Sequence, residues 1–418
     1  MIVNLVVFTM HYPYGIGENF LEEEIRIAEK KFDDILIVSY AKDTEKLNKY
    51  IPDNAKVIKL RESEDCVTEY FVLLKFAFCW STWKELLEGC KERGFVKATK
   101  ILKHILATER HIAYLQNNEC YWLTGVFSSK DTFYYSYWLS SAALYLARNK
   151  RNLNGISISR AHRYECFFSC GYIPWRKEIL LNIDQIFSIS ERGCMDILEH
   201  YCHIVKGLSK RMSVARLGVV IPVSIGGKKN SIKQVTIVSC SQVIFRKRLD
   251  LIIDSLSLCN SINIHWLHFG DGELMEQIKK YAKQKLSNNN RITYEFFGRV
   301  YNKTILHYYG KHTIYLFINC SDSEGIPVSA MEAMAHGIPV IARNVGGNYE
   351  LVDNNCGILL PETITPNDLY RAIKTVLFSE DGVTYQDRCM NAHNKVAKLF
   401  SAEKNYTRFF ETIQGLFG

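Results

Sequence analysis

Short runs rich in β-branched residues alternate with helix-period segments along this chain, and the pattern occurs twice. Parallel strands need crossover helices, so such alternation constrains the chain to α/β architecture with parallel sheets. In the first half, Ile2–Thr9 precedes a turn-rich loop. The segment Glu18–Lys31 follows, with Phe20, Ile25 and Ala28 on one helical face, and Asp34–Tyr40 reads as the next strand. In the second half, Gln234–Ser239 leads into Leu249–Leu258 and then Asn263–Phe269 before Gly270-Asp-Gly272. Two doubly wound, Rossmann-like domains account for both halves, and 418 residues suit two such domains. The small, polar stretch Gly226–Ser231 reads as a linker. The expected organisation is therefore a first domain over 1–222, a second over 223–395, and a C-terminal helix over 396–418. Periodicity does not record that helix's partner, and packing back on the first domain is one option.

Composition narrows the function classes. Hydrophobic residues make up 47% and charged residues 23%, which is globular composition. The net charge of +8 suits anionic phosphates or an anionic surface. The basic residues are scattered and no zinc-finger spacing occurs, which argues against nucleic acid. Thirteen irregularly spaced cysteines, several in apolar runs, suit reduced thiols and a cytoplasmic location. His162, Cys166 and Cys170 recur every four residues, but a structural zinc needs a fourth ligand and none is in an obvious position. A packed helix face is the alternative, and no metal is expected.

The apolar run at Met1–Phe8 lacks a preceding positive region and reads as a strand instead of a secretory signal. Tyr70–Trp80 contains Lys75 and falls short of the ~20 residues that cross a bilayer. Phe95–Tyr114 carries Ile101, Leu102, Ile105 and Leu106 among Lys97, Lys100, Lys103, His104 and Arg110, a basic amphipathic helix. Two readings stay open: its apolar stripe rests on anionic lipid headgroups, helped by Tyr70–Trp80, or the stripe faces the core. Peripheral contact with the inner face of the cytoplasmic membrane is thus part of the expectation.

The most informative segment is Ser321-Asp-Ser-Glu-Gly-Ile-Pro-Val-Ser-Ala-Met-Glu-Ala333, after an expected strand Thr313–Ile318. Pro327 suits the first turn of a helix, where its missing N–H costs nothing. Gly325 permits close approach to the backbone. Unpaired amides at the helix start form a partial positive site suited to a diphosphate. Glu324 before the helix and Glu332 in its second turn place carboxylates, which grip hydroxyls, at both ends of one ligand. Two surface glutamates near a helix start are the plain alternative.

Glu324 and Glu332 within Ser-Glu-Gly-Ile-Pro-Val-Ser-x-x-Glu-Ala, followed by Gly337-Ile-Pro-Val and Val345-Gly-Gly, resemble the signature of retaining glycosyltransferase family 4. The likeness extends to Trp266-Leu-His-Phe-Gly-Asp-Gly272, Phe296-Phe-Gly-Arg-Val300, and Val238-Ser-Cys-Ser241 running into Arg246-Lys-Arg-Leu-Asp250. Tyr12-Pro-Tyr-Gly-Ile-Gly-Glu-Asn-Phe-Leu21 and Ser159-Arg-Ala-His-Arg-Tyr164 are similar to bacterial polysaccharide-assembly members. The resemblance implies a GT-B fold, with two Rossmann-like domains facing across a cleft, the donor held mainly by the second and the acceptor by the first.

It also implies roles. Glu324 contacts the donor sugar, Glu332 the ribose, Lys247 the diphosphate, and the Gly298-Arg299-Val300 loop the base. The amides of Gly325, Ile326, Pro327 and Val328 line the segment, although proline itself offers none. His162 matches a sugar-facing histidine, while Gly15 and Gly17 let the first loop approach the donor phosphates or acceptor; Glu18 instead caps the next helix. Where many members carry Gly-Arg, this chain has Ser241-Gln242, and Arg246 or Arg248 supplies the lost charge or lies on the surface. The implied reaction is metal-independent, retaining transfer from a nucleotide-diphosphate sugar to a glycan or lipid-linked acceptor in capsule, exopolysaccharide or O-antigen synthesis. A same-fold epimerase, a glycoside phosphorylase and a non-catalytic scaffold are the alternatives.

Overall fold

The computed structural model describes residues 3–15, 17–42, 45–60, 70, 72, 74–75, 78–223, 225 and 234–417. It divides into two compact units, one running to Ala215 and resuming at Tyr406, the other spanning Arg216–Asn405.

The first unit is built on a parallel sheet of order β3-β2-β1-β4-β5-β6-β7. Its strands are β1 (Asn4–Thr9), β2 (Asp34–Ser39), β3 (Ala55–Lys59), β4 (Thr132–Ser136), β5 (Ile156–Ala161), β6 (Gln185–Ser188) and β7 (Met212–Val214). Every residue of β1 and β4 is buried, as expected where helices cover both faces of a parallel sheet. The second unit has a parallel sheet of order β10-β9-β8-β11-β12-β13. Its strands are β8 (Val235–Cys240), β9 (Ile264–Phe269), β10 (Ile292–Phe296), β11 (Leu316–Asn319), β12 (Val340–Arg343) and β13 (Gly357–Leu360). Two apolar clusters enclose it. One contains Leu249, Ile252, Trp266 and Ile373, the other Met331, Met334, Leu351 and Val396.

Each sheet grows from its first strand in one direction and then switches to the other side. The switch lies between β1 and β4 in the first unit and between β8 and β11 in the second. Loops leaving the carboxyl ends of such strand pairs diverge and leave room for a ligand. Those two loop pairs carry most of the residues singled out above.

Two expectations change. The boundary moves from 222/223 to Ala215/Arg216, because Val219 is already tied into the second unit: its N–H donates to Phe400 O (2.8 Å) and its carbonyl accepts from Ala402 (3.0 Å). The stretch Gly226–Ser231 lies outside the described residues. The C-terminal helix Ala402–Gln414 joins the first unit from Tyr406 onward, not from 396. There Phe410 packs on Phe32 (5.3 Å between centroids), and Phe409 packs on Phe187 (4.9 Å) and under the Arg160 guanidinium (4.3 Å).

The basic helix runs Ala98–Asn117; of its expected apolar stripe Ile101 and Ile105 are buried and Leu102 and Leu106 half-buried, and Ile112 and Leu115 extend the buried face. The core-facing reading holds for that stripe. Among the described residues, no helix is long and apolar enough to cross a membrane.

Candidate functional site

The second unit's site forms where the loops after β8 and β11 leave the switch point. The β8 loop ends in a tight turn, Phe245–Lys247, and Arg248 in left-handed conformation (φ 51°) starts the helix Leu249–Ser257. The β11 loop runs from Cys320 to Pro327, and the helix Val328–Ala335 follows. Pro327 stands just outside that helix, in extended conformation, instead of in its first turn. The two loops are stitched together: Asp322 N–H donates to Arg246 O (2.8 Å), and Arg246 Nη1 donates to Ser323 O (3.0 Å).

This stitching brings Lys247 Nζ to 2.5 Å from Glu324 Oε1. Asn319 Nδ2, at the end of β11, donates to the same oxygen (3.3 Å) and its Oδ1 accepts from Ser321 N–H (3.0 Å). Burial works to raise the Glu324 carboxyl, but the Lys247 ammonium and these hydrogen bonds overcome it and hold the group below its ordinary value. Glu324 is therefore an ionised acceptor. Gly325 is buried and its carbonyl accepts from Gly347 N–H (2.7 Å), so the Val345-Gly-Gly stretch props the loop from behind. At the start of helix Val328–Ala335 the Ala330 and Met331 N–H groups both donate to Pro327 O (3.1 Å each), so the amides without an intrahelical carbonyl are those of Val328 and Ser329. Ser329 Oγ donates to Cys240 O (3.1 Å) and ties this helix start to the end of β8.

Glu332 differs from Glu324. It accepts one hydrogen bond, from Asn302 Nδ2 at 2.7 Å, and burial with little opposing charge pushes its carboxyl up to about 7. Asn302 opens the helix Asn302–Lys311, which follows the Gly298–Tyr301 turn. In that turn Arg299 is exposed and Val300 half-buried, while Gly298 (φ 66°) hydrogen-bonds Gly270.

The Ser241-Gln242 departure leaves two arginines to compare. Arg248 is committed to Asp250 (2.9 Å) and to Asp322 (3.4 Å), and Asp322 also receives Arg343 (2.5 Å). Its charge is spent within the loop. Arg246 Nη1 reaches Ser323 O in the Glu324 loop.

The first unit's switch point is organised by an internal anion. Glu18 (φ 58°) is buried, and its carboxylate accepts the N–H groups of Met10 (3.0 Å), His11 (2.7 Å) and Tyr12 (2.6 Å), and Trp138 Nε1 (2.5 Å). The expected helix cap is corrected: the side chain turns back onto the loop after β1, and only its backbone carbonyl meets the helix, at Leu21 N–H (3.1 Å). Gly15 (φ 61°) and Gly17 pack within the same loop, where an added Cβ would meet Glu45 and the His11 ring respectively.

His162, after β5, is buried among Trp138 (4.3 Å), Tyr137 (4.8 Å) and Phe20 (5.9 Å). Its Nε2 lies 3.0 Å from Tyr137 O, a carbonyl that only accepts, so Nε2 carries the proton and Nδ1 is the acceptor. Burial, with the nearby Arg160 charge, lowers the imidazole to about 3, so it is neutral at physiological pH. His162, Cys166 and Cys170 form no ligand set: Cys166 Sγ reaches Ala161 O (3.1 Å) and Cys170 Sγ accepts from Arg163 (3.2 Å). No cluster of three or more metal-ligating side chains occurs among the described residues.

Sequence reasoning missed Asn302, Asn319, Glu18 and Trp138 as partners of these groups. Asn302 alone left a signal, standing at a helix start two residues beyond the Gly-Arg-Val turn.

Residues 227–396 match the family model described as Glycosyl transferases group 1. An O-antigen biosynthesis glycosyltransferase of Escherichia coli, WbnH, is 27% identical over 259 residues, 59% of this chain and 69% of that protein. Among solved structures, sucrose-phosphate synthase of Thermosynechococcus elongatus superposes with a TM-score of 0.72 at 13% identity, covering 99% of both chains. HepE of Anabaena, in complex with UDP and glucose, gives 0.63 at 14% identity, covering 98% and 99%. The chain has the GT-B fold, and its second unit carries a glycosyl transferases group 1 domain.

Proposed function

We propose that this chain transfers a hexosyl group, with retention of anomeric configuration, from a nucleotide-diphosphate sugar to a glycan acceptor carried on a lipid, in O-antigen, capsule or exopolysaccharide assembly, as a member of glycosyltransferase family 4. The observation that carries this is the Lys247–Glu324 pair beside the start of helix Val328–Ala335. The 27% identity to an E. coli O-antigen transferase supports the pathway class, and the UDP and glucose held by HepE support the donor class.

In this reading the donor pyrophosphate lies against the amides at Gly325, Ile326 and Val328, Pro327 shaping the turn, with Lys247 neutralising the charge that grows as the sugar–phosphate bond breaks. Glu324, ionised, grips donor-sugar hydroxyls; Glu332 takes the ribose, and Arg299 and Val300 flank the base. Arg248 positions the loop. His162 takes the sugar-facing place that the resemblance implies, as a neutral ring whose Nε2 donates to Tyr137 O and whose side chain caps the Glu165 N–H. The acceptor oxygen bonds to the anomeric carbon on the face that the nucleotide leaves; the bonding pair goes to the phosphate oxygen, which takes the acceptor proton. Lys247 and the helix start supply the positive charge without a resident divalent ion.

A calorimetric panel of nucleotide-diphosphate sugars tests the reading. One donor binds, Glu332→Ala weakens it, transfer yields a retained linkage by NMR, and chelators leave the rate unchanged. Quantitative donor conversion without acceptor would assign an epimerase, a phosphate requirement a phosphorylase, and a trapped glycosyl-enzyme would replace the mechanism.

A further inference from the structure

The helix Trp80–Arg93 is built inside out. Its buried residues are Thr82, Glu85, Gly89 and Cys90, while Trp80 (75% exposed), Trp83 and Leu87 face outward along with Lys84, Glu88 and Lys91. Positions 80, 83, 84, 87, 88 and 91 share one helical face. Inward anchors fix this orientation. Glu85 accepts from the Tyr172 hydroxyl and from Trp175 N–H (2.6 Å). At Gly89 an added Cβ would lie 2.7 Å from Ile101 and 2.8 Å from the Tyr172 ring. Rolling the helix to hide its tryptophans would abandon a buried carboxylate's hydrogen bonds and drive side chains into the Gly89 contact.

The patch continues beyond both helix ends, through Phe78 (86%) before it and Phe95 and Val96 (100%) after it, with Lys97, Lys100 and Lys103 exposed alongside. Exposed apolar surface of this extent marks an interaction site. Its composition selects the partner. The cores of protein–protein interfaces are depleted in lysine, whereas here lysines stand between the tryptophans. Tryptophan sits well at the headgroup level, and lysine stems lie along apolar surface with the ammonium among phosphates.

We propose that this face, centred on Trp80, Trp83 and Leu87 and fringed by Lys84, Lys91, Lys97 and Lys100, inserts shallowly into an anionic lipid monolayer. The proposal rests for its purpose on the reading of a lipid-linked acceptor, since it brings the first unit to the surface where such an acceptor resides. The surface itself is read from side chains that take no part in the donor site.

Flotation of the full chain with vesicles, phosphatidylglycerol-rich or phosphatidylcholine alone, tests it. Two variants are compared, Trp80→Ser/Trp83→Ser/Leu87→Ser and Lys84→Gln/Lys91→Gln/Lys97→Gln/Lys100→Gln, with melting curves and UDP calorimetry as controls for folding and for the donor site. The wild type floats with the anionic vesicles, each variant partitions at least about tenfold more weakly with unchanged UDP affinity, and salt releases the protein. Absence of flotation, flotation indifferent to both variants, or a lipid-blind dimer that the first variant dissociates overturns the proposal, the last assigning the face to a second copy. If the wild type floats as expected yet binds no nucleotide diphosphate sugar, the donor reading fails and the lipid surface stands.

Discussion

At the scale of single residues, two glutamates eight positions apart are set for different work by their surroundings. Glu324 keeps its charge because Lys247 sits on it; Glu332, with one amide partner, sits near neutrality. Lys247→Met removes the counter-charge from Glu324 and, on the proposed reading, the cation at the leaving group, so kcat falls by about 100-fold or more. For Glu332 the sign follows from its raised value of about 7. On the proposed reading the carboxylate form accepts ribose hydroxyls, so donor affinity rises as pH increases from 6 to 8, and Glu332→Gln flattens that rise in calorimetry. Folding responds the other way: between the ordinary 4.5 and about 7 the folded state holds a proton that the unfolded chain has lost, so this group's contribution to stability falls as pH rises through that window. Both glutamates and Lys247 are visible in the sequence as a spaced pattern. Their unlike ionisation is not, because it depends on burial in the folded chain and on which of the two carboxylates the Lys247 ammonium reaches.

At the scale of elements, the strands β1, β2, β8, β9 and β11 were legible because they are largely buried on both faces and are written as mostly apolar runs; β1, β2 and β9 shorten by one or two residues from the expectation, and β11 begins three residues later. The stripe of helix Ala98–Asn117 was legible too, though not its direction, since an apolar face looks alike whether protein or lipid covers it. Helix Trp80–Arg93 could not be read correctly from periodicity, because its buried face is polar and small, and hydropathy alone assigns the tryptophans to the core. Glu18 illustrates the same limit: a carboxylate before a helix predicts a cap, yet three amides of the preceding loop attract it more strongly. Glu18→Gln offers an amide that accepts at one atom only and leaves buried N–H groups unpaired. Thermal unfolding should show a loss of about 1–3 kcal/mol per group stranded, with weaker transfer activity.

At the scale of the whole molecule, the first unit is discontinuous in sequence, and the boundary resisted sequence reading because the pairing of Val219 with Phe400 and Ala402 spans the entire second unit. The segment from Tyr406 supplies the first unit with buried Phe409, Phe410 and Ile413 and with Glu411, which meets Lys31 (2.9 Å). Phe409→Ala, which also removes the ring beneath Arg160, should cost about 3–5 kcal/mol in denaturant unfolding. Scanning calorimetry should assign the loss to the first unit's transition, leaving that of the second unit in place. Protein synthesis adds a temporal side to this arrangement. A ribosome working at roughly 5–20 residues per second takes on the order of ten to forty seconds to make the second unit. Throughout that interval the nascent first unit waits with a greasy flank uncovered, so a premature stop codon late in the message would injure the half of the protein translated earliest.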